Sequence, residues 1–267
     1  MSDYLSHNNI LYDLQSGFRP SFSTDSCLIH LSDYILSNQD KGQLTGMVVL
    51  DLQKAFDTVN HKILIGKLRS LGLDQIAIKW FSSYLGDREQ KVEIGGIQSD
   101  PHNIVCGVPQ GSILGPLLFL IYVNDMRAAV KCKLLLYADD SALLTSSKDI
   151  SEIERVLSVE LESVNEWLVE NRLSLHLGKT QSIVFGSKKR LREAGELHVT
   201  CNGQDIETGT EVSYLGVVLD QALTGSCIIK KHCKQGNNET EIFIQEHTGV
   251  WATHPGYAGI CPSSVSL

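Results

Sequence analysis

Leu136-Tyr137-Ala138-Asp139-Asp140 sets two adjacent carboxylates in a short turn between two apolar runs, residues 133–136 and 142–145. Two-metal phosphoryl transfer demands clustered carboxylates on rigid backbone, because magnesium prefers oxygen ligands and is usually held by one or two carboxylates plus substrate phosphates. A pair of such ions clamps the attacking and leaving oxygens of an in-line displacement. Taken alone, the pair reads first as an ordinary hairpin, since Asp is a common turn residue. Three other segments change that balance.

Upstream, Val48-Val49-Leu50-Asp51-Leu52-Gln53-Lys54-Ala55-Phe56-Asp57 ends a buried strand in a carboxylate. Asp51 can hold a metal ion there or cap the helix that follows; Phe56 can floor a nucleotide-sugar pocket or be a plain core aromatic. Between that segment and the acidic pair, Gly107-Val108-Pro109-Gln110-Gly111-Ser112-Ile113-Leu114-Gly115-Pro116 is dense enough in Gly and Pro to fix an unusual loop before an apolar helix at 117–123. Its glycines admit substrate or template close to the backbone and Gln110 offers an amide, although a tight structural loop explains the same residues. Leu173-Ser174-Leu175-His176-Leu177-Gly178-Lys179-Thr180 is a turn between a long helix and a strand. Lys179 is either a proton donor or phosphate contact, or an ordinary exposed lysine.

The 267 residues suffice for one large domain or two modest ones, and 42% hydrophobic against 20% charged residues can bury a core. No apolar run approaches bilayer-spanning length, and Met1-Ser2-Asp3-Tyr4 lacks the start of a signal peptide. Seven cysteines, at 27, 106, 132, 201, 227, 233 and 261, show neither Cys-x-x-Cys nor zinc spacing. They read as reduced thiols of an intracellular protein with no membrane association and no disulfide-linked partner, in nucleus or cytoplasm. A net charge of −8 excludes a uniformly basic nucleic-acid surface, so any such contact is local. The clusters Lys188-Lys189-Arg190-Leu191-Arg192 and Lys230-Lys231-His232-Cys233-Lys234 are solvated loop faces or phosphate contacts.

Ser23-Thr24-Asp25 predicts a capped helix with Leu28, Leu31 and Ile35 on one face, and Asp74 caps another whose core stripe is Ile76, Trp80, Phe81, Tyr84 and Leu85. A third helix runs from about Ile150 to Asn171, with Ile153, Val156, Leu157, Leu161, Val164 and Leu168 toward a core. Strands are predicted at 47–50, 182–185 and 212–219, with hairpin turns at Gly95-Gly96 and Asn202-Gly203. Helices and strands mixed without regular alternation indicate an α+β domain with an antiparallel sheet.

Taken in order, these segments closely resemble the reverse transcriptase domain of non-LTR retrotransposons, the jockey-like and LINE-like lineages. The resemblance starts at Gln15-Ser16-Gly17-Phe18-Arg19-Pro20 with Ser23-Thr24, similar to the family's fingers motif, and covers roughly residues 5–223. It passes through residues 50–59, the 108–119 loop and helix, Tyr137-Ala138-Asp139-Asp140 and Lys179-Thr180 to Tyr214-Leu215-Gly216, where the family has its primer-grip hairpin. It implies an α+β right-hand polymerase palm with an antiparallel sheet, partial fingers, and a thumb missing or degenerate. Residues 1–46 would be a partial fingers segment, 47–223 the palm with a fingers insertion at about 60–105, and 224–267 a degenerate or disordered tail.

The implied activity is RNA-directed DNA polymerisation, two-metal nucleotidyl transfer from a dNTP to a DNA primer 3′-hydroxyl on an RNA template. Asp51, Asp139 and Asp140, with the Leu52 carbonyl, would hold two magnesium ions, Mn²⁺ being an accepted substitute. Phe56 would gate the sugar, Gln110 and Gly111 line the nucleotide and template pocket, Arg19 touch the triphosphate, and Lys179 protonate pyrophosphate. Against the family pattern, His176 replaces an Asn, the earlier finger strands and the helical thumb are not recognisable, and residues from about 226 suggest a frameshift or mispredicted gene end. The alternatives are a catalytically silent relic that at most binds RNA, and a two-metal nuclease.

Overall fold

The computed structural model describes residues 2–223. The expected tail at 224–267, with its basic cluster, lies outside them. Five segments form the central sheet: β1 (Leu44–Leu50), β2 (Lys133–Tyr137), β3 (Asp140–Ser147), β4 (Gln181–Phe185) and the short, polar β5 (Glu207–Thr208), in the order β5-β4-β1-β3-β2. β1 runs antiparallel to both β3 and β4, β2 and β3 are a hairpin, and only the short β5 lies parallel to its neighbour β4.

Successive strand residues point to opposite faces, and here both faces are covered. Val48, Leu50, Leu134, Leu136, Leu143 and Val184 join one core with helices α4 (Leu114–Val123) and α5 (Ile150–Glu170). Met47, Leu135, Ala142, Leu144, Ile183 and Phe185 join a second with Cys27, Leu31 and Ile35 of helix α1 (Thr24–Asp40). Two-sided burial is why these strands read as continuous apolar runs.

The caps follow the sequence. Ser23 accepts the Ser26 N–H at 3.2 Å while Ser26 Oγ accepts the Ser23 N–H at 2.9 Å, opening α1. Asn60 opens α2 (His61–Ser70), and Asp74 opens α3 (Gln75–Leu85) by accepting the Ala77 N–H at 2.7 Å. Both expected hairpins form, with positive φ at Gly95 and Gly96 (59° and 81°) and at Asn202 and Gly203 (52° and 72°), as mirror-image turns require.

Three expectations are corrected. The apolar helix starts at Leu114 rather than 117, because Gly115 and Pro116 fit a first turn whose N–H groups have no intrahelical acceptor. In α3 the core takes Ile78, Phe81 and Leu85, leaving Ile76 80% and Trp80 52% exposed. The helix is apolar on two faces and only one meets α2; Trp80 stacks on Tyr84 instead, centroids 5.3 Å apart. The run at 212–219, read from its apolar pattern as one strand, is the hairpin that the resemblance implied at Tyr214-Leu215-Gly216: Glu211–Tyr214 against Val217–Asp220, turning where Leu215 and Gly216 take φ of 51° and 78°. Among the described residues Cys27, Cys106, Cys132 and Cys201 are free thiols, and no helix is long and apolar enough to cross a membrane.

Candidate active site

β2 and β3 are joined by the two residues Ala138 and Asp139, closed by the pair Tyr137↔Asp140. Ala138 has φ of 57°, a conformation that costs a residue with a Cβ about 1–2 kcal/mol. A brace from the N-terminal segment supports the turn. Along the otherwise free edge of β2, the Leu136 N–H donates to the Leu14 carbonyl at 3.0 Å and the Ser16 N–H donates to the Leu136 carbonyl at 2.8 Å. Gln15 and Gly17 of that segment touch the turn itself.

Asp51 follows β1 directly. The last β1–β3 pair is Leu50↔Ser141, so one further step sets Asp51 opposite Asp140. The main chain there is tied to the 174–180 turn: the His176 N–H donates to the Asp51 carbonyl at 2.8 Å and the Gln53 N–H to the Ser174 carbonyl at 2.9 Å. In this antiparallel bridge, Leu52↔Leu175, the Asp51 carbonyl faces residue 176. The next carbonyl, that of Leu52, therefore turns to the opposite edge, where β3 lies. Buried Thr180 adds an oxygen that meets the Asp51 N–H at 3.5 Å. The capping alternative for Asp51 fails, since the short helix Ala55–Thr58 is preceded by Lys54 in the left-handed region with no side-chain cap. The His176 departure leaves this anchor intact because the contact is made by its backbone.

The carboxylates sense one another. Asp140 is lifted from 3.8 to about 6, first by the desolvation of its crowded carboxyl group, then by the charge of Asp139, then by that of Asp51. The residue itself is exposed at the sheet end, so water screens part of this, and no stability figure follows from it. Among the described residues no three His, Cys, Asp or Glu side chains are drawn into a metal-sized shell. Their chemistry nevertheless suits a hard cation: oxygen donors of like charge, mutually destabilised. Desolvation, then the neighbouring Cys27 thiol 3.9 Å away, raises the Tyr214 hydroxyl, and desolvation raises the Cys27 thiol; the charge of Asp140 adds a smaller push to both.

A second group of predicted residues meets around Phe56. Its ring stacks on Phe119, centroids 4.3 Å apart at 23°, and meets Phe18 edge-on at 6.3 Å. The Val108 N–H donates to the Phe56 carbonyl at 2.9 Å, and Gln110 Nε2 donates to Asp57 Oδ1 at 2.6 Å, closing the glycine-rich loop onto the segment after Asp51. Gly111 has φ of 77° with open space beside it, so backbone conformation rather than crowding demands glycine. A cleft of about 570 Å³ adjoins the loop, its lining including Lys54, Asp57, Arg88 and Gln110.

Arg19 and Lys179 are not brought into contact with the acidic turn. Arg19 Nη1 donates to the carbonyls of Tyr12 and Gln15, each at 3.0 Å, and its guanidinium lies 4.4 Å from the Phe22 ring centroid. Lys179 is exposed, and its backbone N–H donates to the His176 carbonyl at 2.9 Å. Sequence reasoning missed the parts played by Gln15, Gly17 and Thr180. Gln15 and Ala138 are 123 residues apart, and no periodicity reports such a pairing.

The family model described as reverse transcriptase (RNA-dependent DNA polymerase) matches residues 1–219. The RNA-directed DNA polymerase from mobile element jockey of Drosophila funebris is 34% identical over 218 residues, 79% of this chain and 23% of that protein. The probable RNA-directed DNA polymerase from transposon BS of Drosophila melanogaster is 33% identical over 232 residues, 84% of this chain and 25% of that protein. The chain thus spans about a quarter of the length of these curated relatives. The fold is similar to telomerase from Candida albicans, solved with a fragment of telomeric RNA, at a TM-score of 0.57 and 14% identity over 83% of this chain and 36% of that one. Apo telomerase from Candida tropicalis gives 0.53 at 15% identity over 83% and 42%.

Proposed function

The chain belongs to the reverse transcriptase family, and from that premise we propose that its palm transfers a nucleotide from a dNTP to a DNA primer 3′-hydroxyl on an RNA template. The observation that carries the reading is the strand register, which ends β1 at Leu50↔Ser141 and so brings Asp51 beside the turn that presents Asp139 and Asp140. Asp51, Asp139 and Asp140, with the Leu52 carbonyl, would hold two magnesium ions, or manganese in their place. When bound, these would ease loss of the primer hydroxyl proton and neutralise charge on the transferring phosphoryl group.

The chain's own side chains position the reactants. Phe56, backed by the Phe119 ring, forms a stiff wall that excludes a ribose 2′-hydroxyl. Gln110, tethered to Asp57, and Gly111 line the nucleotide and template pocket. Lys179 supplies a proton to departing pyrophosphate, and Arg19 reaches the triphosphate through its remaining donors. Residues 1–46 serve as a fingers segment, 47–223 as the palm, and about 60–105 as a fingers insertion.

The test is primer extension by the purified 267-residue chain on poly(rA)·oligo(dT), with magnesium or manganese. Labelled dTTP should enter the primer. A folded chain that incorporates nothing with either ion removes the polymerase reading and leaves a silent, RNA-binding palm. RNA cleavage without added nucleotides would instead indicate a nuclease. Given extension, Phe56→Val should raise the kcat/KM for UTP relative to dTTP by roughly tenfold to a hundredfold, since steric exclusion is lost with the ring. An unchanged ratio would remove Phe56 from the sugar pocket.

A further inference from the structure

Gln15 is 1% exposed, and its side-chain oxygen accepts two main-chain N–H groups, Gly17 at 2.9 Å and Ala138 at 3.1 Å. Both partners can only donate, so the amide orientation is dictated: oxygen toward them, amino group away. That amino group, Nε2, is buried with no acceptor. A buried unpaired donor is a penalty that an apolar side chain of the same length would avoid. What an apolar side chain could not do is accept the N–H of Ala138, the strained residue immediately before Asp139.

We propose that Gln15 is a positioning residue for the acidic turn, its accepting oxygen setting the peptide plane of Ala138 and with it the direction in which Asp139 leaves the backbone. The bracing is continuous. The Gln15 N–H donates to the Tyr12 carbonyl at 3.0 Å, its carbonyl accepts from Arg19 Nη1 at 3.0 Å, and the Tyr12 hydroxyl donates to the Leu134 carbonyl of β2 at 3.0 Å. Arg19 thereby acts on the turn at one remove, by holding the residue that holds Ala138. The catalytic consequence rests on the polymerase reading; the bracing itself does not.

The experiment compares Gln15→Met, which keeps length and deletes the acceptor, with Gln15→Glu, which keeps an accepting oxygen. Both are made in the full chain. Amide hydrogen exchange is followed at Ala138, with Val48 and Leu143 in the sheet interior as folding controls, beside kcat and KM for dTTP. Gln15→Met should speed exchange at Ala138 by about tenfold or more and lower kcat by a similar factor, with KM within about twofold and the sheet controls unchanged. Gln15→Glu should retain slow exchange and most of kcat. Unchanged exchange or unchanged kcat in Gln15→Met, or a Gln15→Glu chain as impaired as Gln15→Met, overturns the proposal. If the wild-type chain does not extend primers, the polymerase reading fails by itself, and the exchange contrast at Ala138 still decides the role of Gln15.

Discussion

Asp139→Asn is expected to lower primer-extension kcat by about a hundredfold to a thousandfold, the scale on which removal of one preorganised electrostatic partner acts, while the chain stays folded. Asp139 lies exposed in the two-residue turn, and no hydrogen bond of the described residues ends on its carboxylate, so the amide breaks nothing. It also removes the like charge that ranks second, after desolvation, among the causes lifting Asp140 to about 6. Asp140 should therefore titrate lower in the variant, though still above its ordinary value, because desolvation persists.

The sign follows from linkage. A carboxyl raised in the folded state binds its proton more tightly there than in the unfolded chain. Its contribution to stability is present below about 4 and lost as pH rises through about 6. In Asp139→Asn that loss should shrink, so the variant should be as stable as the wild type at neutral pH or slightly more so. Carboxyl NMR titration and thermal melts at pH 4 and pH 7 read this out. Retained extension would overturn the site assignment, and an unmoved Asp140 titration would show that the carboxylates are not coupled.

Gly17→Ala is expected to be the most damaging single-methyl addition in the brace. A Cβ at position 17 runs into the Ala138 backbone nitrogen and comes within 3.0 Å of the Tyr137 carbonyl carbon and 3.1 Å of Ala138 Cα. All three atoms are main chain, so no side chain can swing aside. Either the acidic turn moves or the 14–17 segment lifts from β2, breaking the Leu136–Leu14 and Ser16–Leu136 bonds. Overpacking together with lost edge pairing should cost about 2–4 kcal/mol, a fall in Tm of roughly 10 °C for a domain of this size. Activity should be lost well below that temperature. Gly42→Ala is the control: its φ of 70° carries the left-handed strain, but nothing lies within 4 Å of the added methyl. A Gly17→Ala chain no less stable than Gly42→Ala would mean that the brace does not press on the turn.

The parts of the molecule legible in the chain are those governed by near neighbours. Ser23 and Asp74 cap helices because each side chain reaches an N–H three residues on. Gly95-Gly96 and Asn202-Gly203 turn because those residues tolerate positive φ. The misreadings fall where local signals tie. The second apolar face of α3 was taken for core at Ile76 and Trp80, since spacing cannot say which of two faces meets a neighbour. The apolar stretch at 212–219 looked like one strand because only the Leu215-Gly216 turn separates its two halves.

Sequence order and residue type alone determined the family and the mixed helix-and-sheet architecture, and singled out the three aspartates and the Phe56 and Gln110 segments as the candidate site. Only the tertiary structure decided that Asp51 comes opposite Asp140, that Arg19 donates through Nη1 to carbonyls of its own segment, and that Gln15 and Gly17 close on Ala138. The reason is physical. Capping and turn formation are settled within a few residues of backbone geometry, whereas strand register and edge pairing join residues far apart in the chain and depend on how two whole core faces pack at once.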